Sequence, residues 1–272
     1  LRTTILPGLL ETARRNVSRG FRDIAVYESG KVFLPGATIG SPEIPPLGVR
    51  PSDEVLAGLE AGIPAQPHRL AAVFTGHDSA PGPGHTPRVY DWQDPIGTAL
   101  DIADVAGVDL TIRQGAHHGF HPGRVAELVV DGTVIGYAGE LLPKLLEDWD
   151  LPARTAAMEL DLDALVSAAP NVVEAQPVVT FPATYQDVAL VVDHQVVAAD
   201  VQQTLQQAAG DLLEHIGLFD VYTGAGIAEG KKSLAFNLRF RATDRTLTAD
   251  EASQARLAAI AAAETEHGAV LR

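Results

Sequence analysis

Between Lys231 and Arg241 every second residue is large and apolar: Leu234, Phe236, Leu238 and Phe240. A period of two over that length belongs to a β-strand with one buried face. Ser233, Ala235, Asn237, Arg239 and Arg241 then share the opposite face. Upstream, Leu212 to Thr223 reads as a second long strand, joined to the first through a Gly-rich turn, so the two form a hairpin. In that strand Phe219 and Val221 take one face and Asp220 and Tyr222 the other. Alternation alone does not say which pair is buried.

The sequence around the hairpin extends it into a small domain. Asp187–Asp193 is a strand, with Val188, Leu190 and Val192 pointing in and Tyr185, Asp187, Ala189 and Val191 pointing out. Val201, Leu205 and Ala208 mark one face of a helix that Gly210 ends. Thr248-Ala-Asp-Glu251 is a capping box opening a helix to about Glu266, and Ala269–Leu271 is a short last strand. Strand, helix, strand, strand, helix, strand is the split βαβ, ferredoxin-like order. Right-handed crossovers place both helices on one sheet face. The other face, with small residues, aromatics and Arg, is the kind of platform on which unpaired bases stack. The competing reading is a face packed on another domain or simply solvated.

The residues before it read as a mixed antiparallel sheet with helices. Leu6, Leu9, Leu10, Ala13 and Val17 have helical spacing, with Pro7 in the first turn and Gly20 past the end. Arg14, Arg15 and Arg19 lie on the other side of that helix, as a solvated face or at a subunit interface. A strand over Ile24–Phe33 is expected to carry a bend or bulge at Ser29-Gly30. An irregular, Pro- and Gly-rich stretch from Leu34 to Pro67 holds one short helix near Ser52–Leu59. Arg69–Thr75 is a strand, and Asp94 is expected to cap a helix to Ala106. Asp109–Arg113 is a short strand, and Asp131-Gly132 joins two strands in a tight primed turn. A short helix at Pro143–Asp148, a strand at Thr155–Leu160 and a helix capped by Asp161 follow. Three spans result: residues 1–170, a linker at 171–177, and 178–272.

Net charge is −15 with a pI of about 4.9, which excludes a general basic nucleic-acid surface. From Val178 onward seven Lys and Arg stand against twelve Asp and Glu, a balance of −5. The chain has no cysteine, and no apolar run approaches the roughly 20 residues of a membrane span. It begins at Leu1 without a signal peptide, and reads as a fragment of a longer protein.

For chemistry, His117-His118-x-x-His121, with His77 and His85, is the one cluster that invites a metal. It sits in a Gly-rich loop without the carboxylate or Cys partners zinc usually takes. No metal and no catalytic residue is assigned. Phosphate-loop, G-x-G-x-x-G and G-x-S-x-G patterns are absent. Lys231-Lys232 is a solvated strand edge that could touch a phosphate.

Several stretches, in order, carry a resemblance. They are Leu1-Arg-Thr-Thr-Ile-Leu-Pro-Gly-Leu-Leu10, Arg22–Phe33, His121-Pro-Gly-Arg124-Val-Ala126 and Gly136-Tyr-Ala-Gly-Glu-Leu-Leu-Pro143. Phe181–Leu190 and Phe219-Asp-Val-Tyr222 through Thr248 complete the set. Together they resemble the C-terminal half of the bacterial phenylalanyl-tRNA synthetase β subunit. The fold class implied is α+β: a class II synthetase-like antiparallel sheet with helices, followed by a ferredoxin-like βαββαβ anticodon-binding domain.

The resemblance implies a non-catalytic part of an ATP-dependent ligase, not active alone, in a cytoplasmic α2β2 heterotetramer. The α subunit would bind ATP and magnesium, and this chain no cofactor. Its partners would be the α subunit and tRNA(Phe), with no membrane and no DNA. In class II active sites a Phe-Arg-x-Glu motif holds the α-phosphate and the tRNA end. Here Phe21-Arg22-Asp23 is followed by Ile24, so the carboxylate is missing. The family's Tyr-Arg-Asp triplet is Tyr185-Gln186-Asp187, and the upstream editing modules are not in this sequence. The expected tRNA contacts are stacking by Tyr185 or Tyr222, base-edge hydrogen bonds from Asp187, Ser233 and Asn237, and phosphate contacts from Arg239 and Arg241. The alternative is a purely structural scaffold without RNA contact.

Overall fold

The computed structural model describes residues 1–36, 40, 44–173, 175 and 178–272. The remaining positions fall within the irregular stretch at Leu34–Pro67 and the linker at 171–177, and those parts of the two expectations lie outside the described residues. The chain divides into two compact units, Leu1–Glu174 and Ala175–Arg272.

In the first unit the elements run α1 (Leu6–Ser18), β1 (Ile24–Lys31), α2 (Asp53–Glu60), β2 (His68–Thr75), α3 (Gln93–Ala106), β3 (Thr111–Gln114), β4 (Phe120–Val130), β5 (Thr133–Leu141), α4 (Pro143–Asp148), β6 (Ala156–Asp161) and α5 (Leu162–Ala168). The six strands form one sheet in the order β1-β2-β6-β5-β4-β3, and every pairing is antiparallel. Both faces are covered. Leu9, Leu10 and Ala13 of α1 and Leu146 of α4 pack with Val73, Val125 and Ala157 on one side. Ala99 and Ala103 of α3 and Leu165 of α5 pack with Leu128, Ala138 and Met158 on the other. The Asp131-Gly132 turn has φ of 48° and 77°, as the primed turn requires.

Two local expectations are corrected. β1 pairs with β2 without a break from Ile24↔Thr75 to Lys31↔His68, so Ser29-Gly30 does not interrupt the strand with a bulge. Gly30 instead leaves room for Arg2, whose Nη2 lies 2.4 Å from where a Cβ would stand. Asp94 does not cap α3, which starts one residue earlier after Trp92. Its carboxylate accepts from the Asp91 backbone N–H at 2.7 Å and pairs with the Arg88 guanidinium. Asp161 and Ser52 do cap their helices, accepting from the backbone N–H of Ala164 and Val55.

The second unit runs β7 (Thr184–Asp193), α6 (Ala198–Ala209), β8 (Leu213–Tyr222), β9 (Lys231–Phe240), α7 (Ala249–His267) and β10 (Val270–Leu271). Its sheet order is β10-β7-β9-β8, the ferredoxin-like βαββαβ topology, again antiparallel throughout. Leu234, Phe236, Leu238 and Phe240 are each fully buried against Val201 and Leu205 of α6 and Ala259, Ile260 and Ala263 of α7. The inward set of β7, Val188, Leu190 and Val192, joins them. Both helices therefore lie on the face that the alternation assigns to them. The capping box at Thr248 and Glu251 is formed, with both reciprocal hydrogen bonds in place.

Candidate nucleic-acid interface

The face of the second sheet away from α6 and α7 is built row by row from cross-strand partners, which share a side. One row is Tyr185 on β7, Arg239 on β9 and His215 on β8. The next is Asp187, Asn237 and Gly217. Then come Ala189, Ala235 and Asp220, and last Val191, Ser233 and Tyr222. The ambiguity in β8 is resolved by a register shift between Leu218 and Asp220. Val221 pairs with Leu234 on the helix side, Asp220 and Tyr222 stand on the open side, and Phe219 is the extra residue of the bulge, 62% exposed.

Within this face the expected contact residues differ in availability. Tyr185 is 61% exposed, against 36% for Tyr222. Tyr222 is folded over the turn: its hydroxyl donates to the Ala225 carbonyl at 3.2 Å, and the Arg272 guanidinium lies 5.4 Å from its ring centroid. Asn237 Nδ2 donates to Asp187 Oδ1 at 2.7 Å, which holds both side chains upright in one row. Ser233 is a correction. It stands on the open side but is only 3% exposed between Val191 and Tyr222, so its hydroxyl does not reach the surface.

Arg239 and Arg241 are not free cations. A second register shift, between Leu213 and His215, puts Glu214 beside both. Its Oε2 is 2.6 Å from Arg239 Nε and 3.3 Å from Arg241 Nε. Neither Nε–H is aligned for a hydrogen bond, so the attraction is ionic. Arg241 Nη1 donates to the Val179 carbonyl at 3.1 Å. Lys231 is likewise held, 2.8 Å from Asp193. Glu214 is the residue that sequence reasoning missed. Its place depends on a bulge that alternation does not announce.

The histidines of the first unit are used separately. His117 stacks on His118 and meets Phe120 edge-on, and burial, then the neighbouring His118, lowers its pKa. His77 bonds Asp23, and His85 bonds Ser79. Among the described residues there is no group of three or more His, Cys, Asp or Glu placed to hold a metal.

With this geometry in view, two family models match the chain. Residues 1–162 match the phenylalanyl tRNA synthetase beta chain CLM domain. The chain belongs to the phenylalanyl-tRNA synthetase β-chain family. Residues 179–272 match the ferredoxin-fold anticodon binding domain, the unit whose open face is described above. The phenylalanine–tRNA ligase β subunits of Streptomyces avermitilis and Nocardia farcinica are 51% and 52% identical to it over 100% of its length. That of Leifsonia xyli is 49% identical, again over the whole chain. The chain covers 33%, 32% and 32% of these three proteins respectively, so it spans about a third of the length of the curated relatives it matches.

Proposed function

We propose that this chain is part of the β subunit of a phenylalanyl-tRNA synthetase, and that its second unit binds the anticodon loop of tRNA(Phe). The observation that carries the reading is the open sheet face of a unit matching the anticodon-binding model, with Tyr185, Asp187, Asn237 and Arg239 in adjacent rows. Tyr185 stacks a base, and Tyr222, partly covered, stacks or buttresses a second. Asp187 and Asn237 read base edges, and Arg239 and Arg241 meet phosphate. Ser233 supports the surface from beneath.

The first unit is the catalytic-like module, residues 1–170. It packs against the α subunit in a cytoplasmic α2β2 heterotetramer. Because Leu9, Leu10 and Ala13 are used by its own sheet, α1 offers its Arg14, Arg15 and Arg19 side to that partner. The α subunit binds ATP and magnesium and charges the tRNA, and this chain supplies no catalytic group.

Footprinting of tRNA(Phe) on the assembled enzyme tests the proposal. Tyr185→Ala, Tyr222→Ala and Arg239→Ala are expected to reduce protection of the anticodon loop. Full protection in all three would sink the RNA reading. The second reading, a scaffold without RNA contact, is favoured by Glu214 offsetting both arginines. It predicts no salt-dependent tRNA binding that maps to this unit.

A further inference from the structure

On the open face of the second unit, β8 carries a residue that the expected contacts leave out. His215 stands opposite Arg239, whose other cross-strand partner is Tyr185. Imidazole, guanidinium and phenol thus form one row across three strands. All three groups are planar, and unpaired bases stack on such planes. His215 is exposed, as is Tyr185.

The irregular start of β8 sets this position. Leu213 pairs with Phe240 on the helix side and His215 with Arg239 on the open side, so Glu214 is the extra residue between them. The carboxylate is taken up by Arg239 and Arg241, and the imidazole is left at the surface.

Gly217, the next residue of β8 on the open side, gives the ring its room. His215 Nε2 lies 3.4 Å from where a Gly217 Cβ would stand. Beyond the chain neighbours, no other heavy atom of the described residues comes within 4 Å of that point. The imidazole therefore leans along β8 over the glycine, towards the row of Asp187 and Asn237, and no side chain on β8 covers it there.

We propose that His215 stacks an unpaired base of the anticodon loop, with the edge of that base turned to the Asp187–Asn237 pair. The proposal rests on the reading of the second unit as an anticodon-binding domain, which the match of residues 179–272 supports. Stacking needs no net charge, so it is not weakened by the hold of Glu214 on the arginines. β7 and β8 flank β9 on opposite sides, two strand spacings or roughly 9–10 Å apart. Tyr185 and His215 therefore take different bases.

The test uses the assembled enzyme, α with full-length β chain, and tRNA(Phe). A photo-crosslinking residue, p-benzoylphenylalanine, replaces His215, and the expected crosslink is to one nucleotide of the anticodon loop. His215→Ala is expected to weaken tRNA binding about tenfold, and His215→Phe, which keeps a ring, to stay within about threefold of the unaltered enzyme. tRNA(Phe) made abasic at the crosslinked nucleotide should bind the unaltered and His215→Ala enzymes equally, because the base that the ring would stack is already gone. A role in the fold alone would leave the cost of His215→Ala in place on the abasic tRNA, and that result overturns the inference. So does an equal loss in His215→Phe and His215→Ala. Unchanged affinity in His215→Ala, or a crosslink to protein, to another part of the tRNA or to nothing, overturns it too. If the unaltered enzyme still protects the anticodon loop, the anticodon-binding reading stands. An anticodon loop left unprotected by the unaltered enzyme overturns both.

Discussion

Glu159 on β6 caps the helix that follows Ile5, although the two residues are 154 positions apart. Its Oε2 accepts from the backbone N–H of Ile5 at 3.0 Å and of Leu6 at 3.3 Å, and from the Thr4 hydroxyl. The N-cap residue of α1, Ile5, has no capping side chain and the Thr4 hydroxyl reaches only the Leu6 N–H, at 3.3 Å, so a strand supplies the acceptor for Ile5. Removing that acceptor leaves the Ile5 N–H unpaired and the Leu6 N–H with only the Thr4 hydroxyl. Glu159→Ala is expected to cost about 1–2 kcal/mol, the range of a lost N-cap. Glu159→Gln keeps an acceptor and should cost less. Urea unfolding of both variants measures the difference.

Glu214 restrains the two arginines of the open face. Glu214→Gln would release both guanidiniums without removing a donor. Binding of tRNA(Phe) to the assembled enzyme is expected to tighten a few-fold at low salt and to fall more steeply with salt. Each added phosphate contact to a single strand steepens the log–log slope by about 0.7. An unchanged slope in Glu214→Gln would show that Arg239 and Arg241 do not meet phosphate.

The cap of α7 gives a pH signature. Hydrogen bonds from the Thr248 backbone, Arg245 and the Thr248 hydroxyl hold the Glu251 carboxyl at about 2, below its ordinary 4.5. A carboxyl lowered on folding adds stability that is fully present above 4.5 and is lost as pH falls towards 2. The second unit is therefore expected to lose part of its stability across that window. Glu251→Gln should flatten this part of the profile. A carboxyl-detected NMR titration giving Glu251 an ordinary midpoint would contradict the assignment.

Phe236 and Phe240 are fully buried between the sheet and its two helices. Phe240→Ala is expected to cost about 3–5 kcal/mol through lost burial and the cavity it leaves. Denaturant midpoints followed in the second unit would register it.

Gly139 is expected to tolerate no side chain. Gly139→Ala places a Cβ against the Arg124 carbonyl and must push β4 away from β5. The expected result is a lower melting temperature and loss of the Arg124–Glu140 pair, readable as a shifted Arg124 side-chain resonance.

The second unit was largely legible in the sequence because its signals are local. The alternation through Leu234 and Phe240, the Thr248–Glu251 box and Gly210 after α6 each act within a few residues. The candidate face was legible only by parity. Parity puts Ser233 and Arg239 on the same side, but not one covered and the other held by Glu214, because burial depends on the neighbours across the sheet. The first unit was read with more error. The bend or bulge expected at Ser29-Gly30 gave way to pairing with β2 in unbroken register, and the space beside Gly30 is taken by Arg2. The cap expected from Asp94 was diverted to Arg88, a contact six residues away.

What the sequence determined by itself, then, is which side of β7 and β9 is apolar and where α6 and α7 lie, since periodicity and capping are properties of the chain. What only the tertiary structure decided is which side chains meet. Glu159 reaches Ile5, Glu214 reaches Arg239 and Arg241, and Glu140 reaches Arg124 and Arg154. These charge contacts are set by register, and in β4 and β8 the register shifts at bulges that no period reveals.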